Sequence, residues 1–309
     1  MRLEYKYLVP DEFLPRLRAL VSPFVEMDRY AVQTGEGEYT VRSIYFDTLD
    51  LSFYQDKVDG LEVRKKLRIR GYNDYGRDDT VFLEVKRKHG ATVIKHRAPV
   101  PYSHVCDLLH SGAVEQYAPA SEEFPDTIED ARRFLFHLYN MPLVPTILVI
   151  YEREAYHGRI NSSLRITFDK NLRSSLFPSL DGLFLESQIA HAMAGYFTLE
   201  IKTCGGMPAW LRAAIGKFDL KPAAISKYVI CLDRHGLPQR VSKHKMLALS
   251  QGLPGGMMRI GGTLWLPVQT THPIFQPAMP GWGALAGAEE MVRPHLPGTT
   301  GIARGGEDS

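Results

Sequence analysis

Between Leu61 and Arg70 the chain reads LEVRKKLRIR, with a cation at every second position: Arg64, Lys66, Arg68 and Arg70. Side chains two apart share one face of an extended strand, so these four groups form one basic wall while Val63, Leu67 and Ile69 face the other way. A solvated basic stripe would read the same in isolation. Here the opposite face is apolar enough to pack, which suits the basic side to line an interior. Crowded guanidinium and ammonium groups match one kind of ligand, a polyanion with closely spaced oxygens.

The elements that would hold such a wall recur along the chain. Residues 2 to 9 read as a strand with Glu4 and Lys6 on one face, and Thr80 to Gly90 as another with Glu84, Lys86 and Lys88. Ala91 to Val100 carries Lys95 and Arg97, and Leu143 to His157 carries Tyr151 and Arg153. Leu164 to Lys170 carries Arg165 and Asp169, and Thr198 to Thr203 carries Glu200 and Lys202. Glu38 to Asp47 is a further β-rich segment. Helical patterns fall at 11 to 21, 49 to 57, 103 to 110, 127 to 139, 207 to 218 and 223 to 235. Strands that are polar on one face and apolar on the other suit an α+β fold, an antiparallel β-barrel with a polar interior and helices packed outside. An unpaired cationic lining is costly to bury, so it calls for an anionic ligand, water or both. Glu200 is the first candidate ligand for Mg²⁺ or Mn²⁺, with Glu4 and Glu84 behind it. For Glu4 and Glu84 the equal alternative is a pair with the neighbouring lysine in Glu-x-Lys. No Gly-rich phosphate loop is present, so phosphates would be bound by side chains.

Composition narrows the classes. The 309 residues are 44% hydrophobic and 23% charged, enough for a proper core. A net charge of +2 advertises no nucleic-acid or membrane surface, and only Tyr151 among the aromatics suits base stacking on the basic face. Cys106, Cys204 and Cys231 form no C-x-x-C pair, which argues against a disulfide framework or a zinc site. The apolar run at Leu143 to Ile150 is too short for a bilayer and is expected on the barrel exterior under the helices of 103 to 140. A soluble, cytoplasmic protein is expected. Tyr7, Tyr45, Phe46, Tyr156 and Phe168 are expected in the core or against helices, and His89 and His96 in solvent. Residues 238–309, rich in Gly and Pro, read as a disordered tail beyond a domain of residues 1–237.

Eight segments in order resemble one family: E-x-K-Y at Glu4 to Tyr7, S-x-Y-F-D at Ser43 to Asp47, K-x-R-x-R at Lys66 to Arg70 and L-E-x-K at Leu83 to Lys86. Y-x-R-x-A-Y follows at Tyr151 to Tyr156, L-R-x-T-F-D at Leu164 to Asp169, L-E-x-K at Leu199 to Lys202 and S-K-Y at Ser226 to Tyr228. Over about residues 1 to 236 the chain resembles the VTC domain, the catalytic domain of the vacuolar transporter chaperone polyphosphate polymerase, related to the triphosphate tunnel metalloenzymes of the CYTH superfamily. The resemblance implies a tunnel-shaped barrel in which ATP donates its γ-phosphoryl group to a growing polyphosphate chain. It implies catalytic roles for Arg68, Arg70, Lys86, Arg153, Arg165 and Lys227. Lys6, Arg64, Lys66, Lys95, Tyr151, Lys202 and Ser226 would bind substrate, and Glu200 would hold Mn²⁺ or Mg²⁺. Ala224 stands where the polymerase pattern would place a second basic residue. A triphosphatase on the same scaffold and a non-catalytic polyphosphate or inositol-phosphate binder are the alternative readings.

Overall fold

In the computed structural model, which describes residues 2–73, 79–90, 92–242, 258–260 and 263–265, the alternating segments become strands of one sheet. The N-terminal part runs β1 Arg2–Pro10, α1 Leu14–Val21, β2 Val25–Met27, α2 Arg29–Gln33, β3 Tyr39–Thr48 and α3 Ser52–Val58. Then come β4 Val63–Tyr72, β5 Thr80–His89, β6 Thr92–Pro101, α4 Val105–Ser111, α5 Val114–Tyr117 and α6 Thr127–Asn140. The chain continues as β7 Leu143–Gly158, β8 Arg165–Leu176, β9 Ala190–His191, β10 Tyr196–Cys204, α7 Ala209–Lys217 and α8 Lys227–Arg234.

The ten-stranded sheet is antiparallel and ordered β1-β10-β8-β7-β3-β4-β5-β6, with β2 on β7 and β9 on β8. It curls without a β1–β6 ladder among the described residues. Charge and a strap instead link β1 to β4 and β5. Lys86 of β5 lies within electrostatic reach of Glu4, Lys6 and Lys202 on β1 and β10. The segment 222–226 runs beside β1, with Ala223 N–H donating to the Lys6 carbonyl (2.8 Å), and carries the chain toward β4.

Three apolar clusters hold the sheet. Two lie on its outer face, as the alternation requires. Ile44, Leu67, Ile69, Leu83 and Val85 pack under α4 and α6 through Val105, Leu108, Phe134 and Leu135. Tyr7, Val9, Ile166, Phe168 and Leu199 pack under α1 and α7. α6 is held there by its own pattern, burying Ala131, Phe134 and Leu135 and placing Glu129 and Asp130 in its first turn.

The third cluster departs from the expected all-polar interior. Val41, Tyr45, Ile147, Val149 and Tyr151 share the inner face with the cations, and α8 packs on them through Tyr228, Cys231 and Leu232. The apolar run of β7 therefore serves both faces, with Leu148 and Ile150 outward and Ile147 and Val149 inward under α8. α8 itself begins at Lys227 rather than Ala223, with Ser226 still extended at φ −130°. Pro222 and the bond from Ala223 to β1 keep the preceding residues out of the helix. A bulge at Asn171, with φ 49°, switches the facing of β8 so that Asp169 and Leu172 both point inward.

The core residues expected from the sequence are buried: Tyr7, Tyr45, Phe46, Tyr156 and Phe168. His96 is not free in solvent, since its Nδ1 lies 2.7 Å from Asp130 of α6. Of the expected tail, residues 238–242 are helical and continue from Leu237, with Leu237 and Val241 buried one turn apart. Met258–Ile260 and Thr263–Trp265 form a short antiparallel ladder. The rest of the expected tail lies outside the described residues. No helix among the described residues is long and apolar enough to cross a membrane.

Candidate active site in the basic channel

Register brings the charges together. Glu84 on β5 stands opposite Arg68 of β4 on one side and Arg97 of β6 on the other. Its carboxylate lies 2.6 Å from Arg68 Nη2, 2.7 Å from Lys95 Nζ, 3.3 Å from Arg97 Nε and 4.0 Å from Arg70 Nε. Burial pushes the Glu84 carboxyl up, but Arg68, Arg70 and Lys95 outweigh it and hold the group well below the usual range. Glu84 is thus the counter-ion of a four-cation fan. Its partners lie on β4 and β6, not at Lys86 two residues along its own strand.

Behind the fan, β3 supplies hydroxyls. Arg68 Nη1 donates to the Tyr45 hydroxyl at 2.7 Å, and Arg70 Nε to Ser43 Oγ at 3.1 Å. A second hub forms where β7 and β8 pair Arg153 with Asp169. Arg153 grips both Asp169 oxygens at 2.6 and 2.8 Å, and Lys227 Nζ donates to the same carboxylate at 2.6 Å. Burial opposes ionisation of Asp169, yet Arg153 and Lys227 bring its pKa down to about 2. Both cations also approach the Tyr151 ring, at 5.2 and 4.8 Å from its centroid.

On β1 and β10, Lys6 pairs with Glu4 at 3.0 Å and Lys202 with Glu200 at 2.5 Å. Lys6 Nζ also donates to the Ile225 carbonyl (3.4 Å), and Lys66 Nζ to Ser226 Oγ (3.0 Å), so the strap joins β1 to β4 through two lysines. Burial, then Arg68, Lys6 and Lys86, bring Lys66 down to about 8. Lys57 of α3, Arg64 and Lys88 lie near Lys6 at a mouth of the channel, where burial and their mutual repulsion lower the Lys57 ammonium.

Most of the candidate residues therefore converge: Lys6, Lys66, Arg68, Arg70, Lys86, Lys95, Arg153, Lys202 and Lys227, with Tyr151 and Ser226 among them. Arg64 stands at the rim. Arg165 keeps to an end of the channel with partners of its own, 3.3 Å from Asp28 and 3.3 Å from the Tyr39 hydroxyl. The alternation did not reveal which carboxylates act as hubs, nor that Tyr45 touches Arg68, because both depend on cross-strand neighbours.

No group of three or more His, Cys, Asp or Glu converges among the described residues. Glu200 is deprotonated all the same: burial raises its carboxyl, but Lys202, Lys6 and Arg153 hold it well below the usual range. Around it on β8 and β10, Thr167 Oγ1 and Thr198 Oγ1 are buried with no hydrogen-bond partner among the described residues. Oxygen donors of that number fit Mg²⁺ or Mn²⁺ carried in on phosphates, which needs one or two carboxylates, and do not fit an all-protein cage.

The family comparison agrees with the sequence motifs. The model of the VTC domain matches residues 1–234. The chain belongs to the VTC domain family. A comparison with curated protein sequences finds no match. Among solved structures, the VTC domain is similar to HpAC1 from Hippeastrum, a protein with a dominant triphosphatase activity, at 14% identity and a TM-score of 0.40, covering 76% of this chain and 96% of that one. A chain of the Schizosaccharomyces pombe Mediator head module is similar at 8% identity and a TM-score of 0.34, covering 81% and 94%. The family assignment rests on the VTC match and its residues.

Proposed function

We propose that this VTC domain is a metal-dependent polyphosphate polymerase that moves the γ-phosphoryl group of ATP onto a polyphosphate chain. The observation that carries the reading is the surplus of cations over carboxylates on one face of the curled sheet. Phosphoryl transfer asks little covalent chemistry of the protein and much positioning and charge neutralisation. Arg68 and Arg70 from β4, Arg153 from β7 and Lys227 from α8 converge on the inner face and clamp the triphosphate. Lys6, Lys66, Lys86, Lys95 and Lys202 extend the positive path along the channel. Arg165 and Arg64 attract the ends of longer chains. A terminal phosphate oxygen of the acceptor chain attacks the γ-phosphorus, the bond from that phosphorus to the β,γ-bridging oxygen breaks, and ADP leaves with the electron pair. Glu200 is the residue that would hold Mg²⁺ or Mn²⁺, which when bound neutralises charge on the non-bridging oxygens.

Ala224 favours a second reading. With no basic residue there, hold on the acceptor chain is weaker, and water as acceptor would make the domain a triphosphatase. Incubation of the protein with ATP and Mn²⁺ separates the two. ADP with long acid-labile chains and little free phosphate supports the polymerase, whereas ADP with stoichiometric free phosphate means hydrolysis. Tight tripolyphosphate binding with no ATP turnover would move the protein to the binder class. Glu200→Gln should abolish turnover and leave tripolyphosphate binding largely intact; unchanged turnover rejects the metal role.

A further inference from the structure

We infer that Tyr45 is a further substrate-contacting residue of the channel: its hydroxyl, held by Arg68, donates its proton to an oxygen of the bound triphosphate. This rests on the reading of the channel as a triphosphate site. Tyr45 stands opposite Arg68 in the β3–β4 register, on the same inner face. Arg68 Nη1 donates to the phenolic oxygen at 2.7 Å, so that bond uses an acceptor lone pair and leaves the hydroxyl proton unspent. No described residue accepts that proton, although the side chain is buried, at 7% exposure.

The ring cannot easily turn away. It packs against Tyr228 of α8 at 5.1 Å between centroids, and Tyr228 is pinned by its own hydroxyl donating to Asp47 at 2.5 Å. The Arg68 guanidinium lies 5.5 Å from the Tyr45 centroid. A buried hydroxyl fixed beside a cation that binds anions is placed to share the anion. The charged and titratable groups facing it are Lys66, Arg68 and Arg70 from β4 and Tyr228 from α8, while β7 opposes it with apolar Ile147. Burial raises the phenol, but Arg68, Arg70 and Lys66 outweigh it and bring it to about 8.

The test uses the full chain, inorganic tripolyphosphate and Tyr45→Phe. Calorimetry below that pH should show about tenfold weaker tripolyphosphate binding by the variant, the scale of one hydrogen bond to a charged group. The near-ultraviolet phenolate band of the wild-type protein should emerge as pH rises through about 8 and be reduced in the variant, where Tyr72, lowered by Arg70 and Arg97, remains. Tripolyphosphate should suppress the difference band between wild type and variant at that pH, because a phosphate oxygen then holds the Tyr45 proton. Equal binding by the two proteins overturns the inference and leaves the channel reading standing. Weaker binding by the variant with a band indifferent to tripolyphosphate also overturns it, because Tyr45 would then only orient Arg68. Failure of the wild-type protein to bind tripolyphosphate overturns the inference and the channel reading together.

Discussion

The two faces of the sheet treat charge in opposite ways. On the outer face two ionic networks are matched. Arg173 binds Glu152 at 2.6 Å and Glu186 at 2.8 Å, and Arg42 binds Glu186 at 2.9 Å. Arg18 donates to both oxygens of Glu154, Lys170 approaches the same carboxylate at 2.6 Å, and Lys170 also meets Glu38. Each of these networks has two cations and two carboxylates. On the inner face Glu84 alone serves four cations, and Asp169 serves Arg153 and Lys227. A matched network spends its charge on holding strands and loops together. An unmatched one keeps a positive field that only an outside anion can neutralise. The hubs keep the cations aimed while leaving the channel positive.

The largest test of this difference removes one hub from each face. Glu84→Gln leaves four cations without their counter-ion and should destabilise the free protein by about 3–5 kcal/mol. Tripolyphosphate should then raise its melting temperature more than it raises that of the wild-type protein. Glu154→Gln on the outer face should cost a comparable amount with no extra rescue by the ligand. Equal rescue of both variants would erase the distinction between the faces.

A smaller effect concerns pH. Polyanion binding draws on protonated Lys66, whose folded pKa of about 8 lies below the ordinary lysine value. Tripolyphosphate affinity should therefore fall as pH rises through about 8, and Lys66→Met should bind more weakly below that pH and show a reduced fall. The residual fall in that variant is shared by Tyr45, Lys86 and Lys95, the other channel groups whose pKa values are lowered. An unaltered pH profile in Lys66→Met would remove Lys66 from the site. The smallest effect belongs to the rim: Arg64→Ala should weaken binding a few-fold at low ionic strength and hardly at all at high salt, because exposed charges are screened within about 10 Å at 0.1 M. The melting temperature set by the outer networks should respond little to the same substitution.

Much of the site was legible in the chain itself. Period-two alternation placed Lys66, Arg68, Arg70, Lys86, Arg153 and Lys202 on one face, because a strand leaves its side chains no other choice. The same rule named the core residues Leu67, Ile69, Leu83 and Phe168, all fully or almost fully buried. It failed where a single strand does not determine the answer. β8 changes facing at Asn171, β7 is apolar on both sides, and the helix after Ser226 seats itself on the inner face.

The sequence by itself determined which residues are cations, how they alternate and that the strands have one apolar face, since these follow from residue types and backbone geometry. Only the tertiary structure decided who neighbours whom across the sheet. The meeting of Glu84 with four cations depends on the registers of β4, β5 and β6. The approach of Lys227 to Asp169 depends on α8 packing against the inner face, a long-range contact that no local pattern encodes.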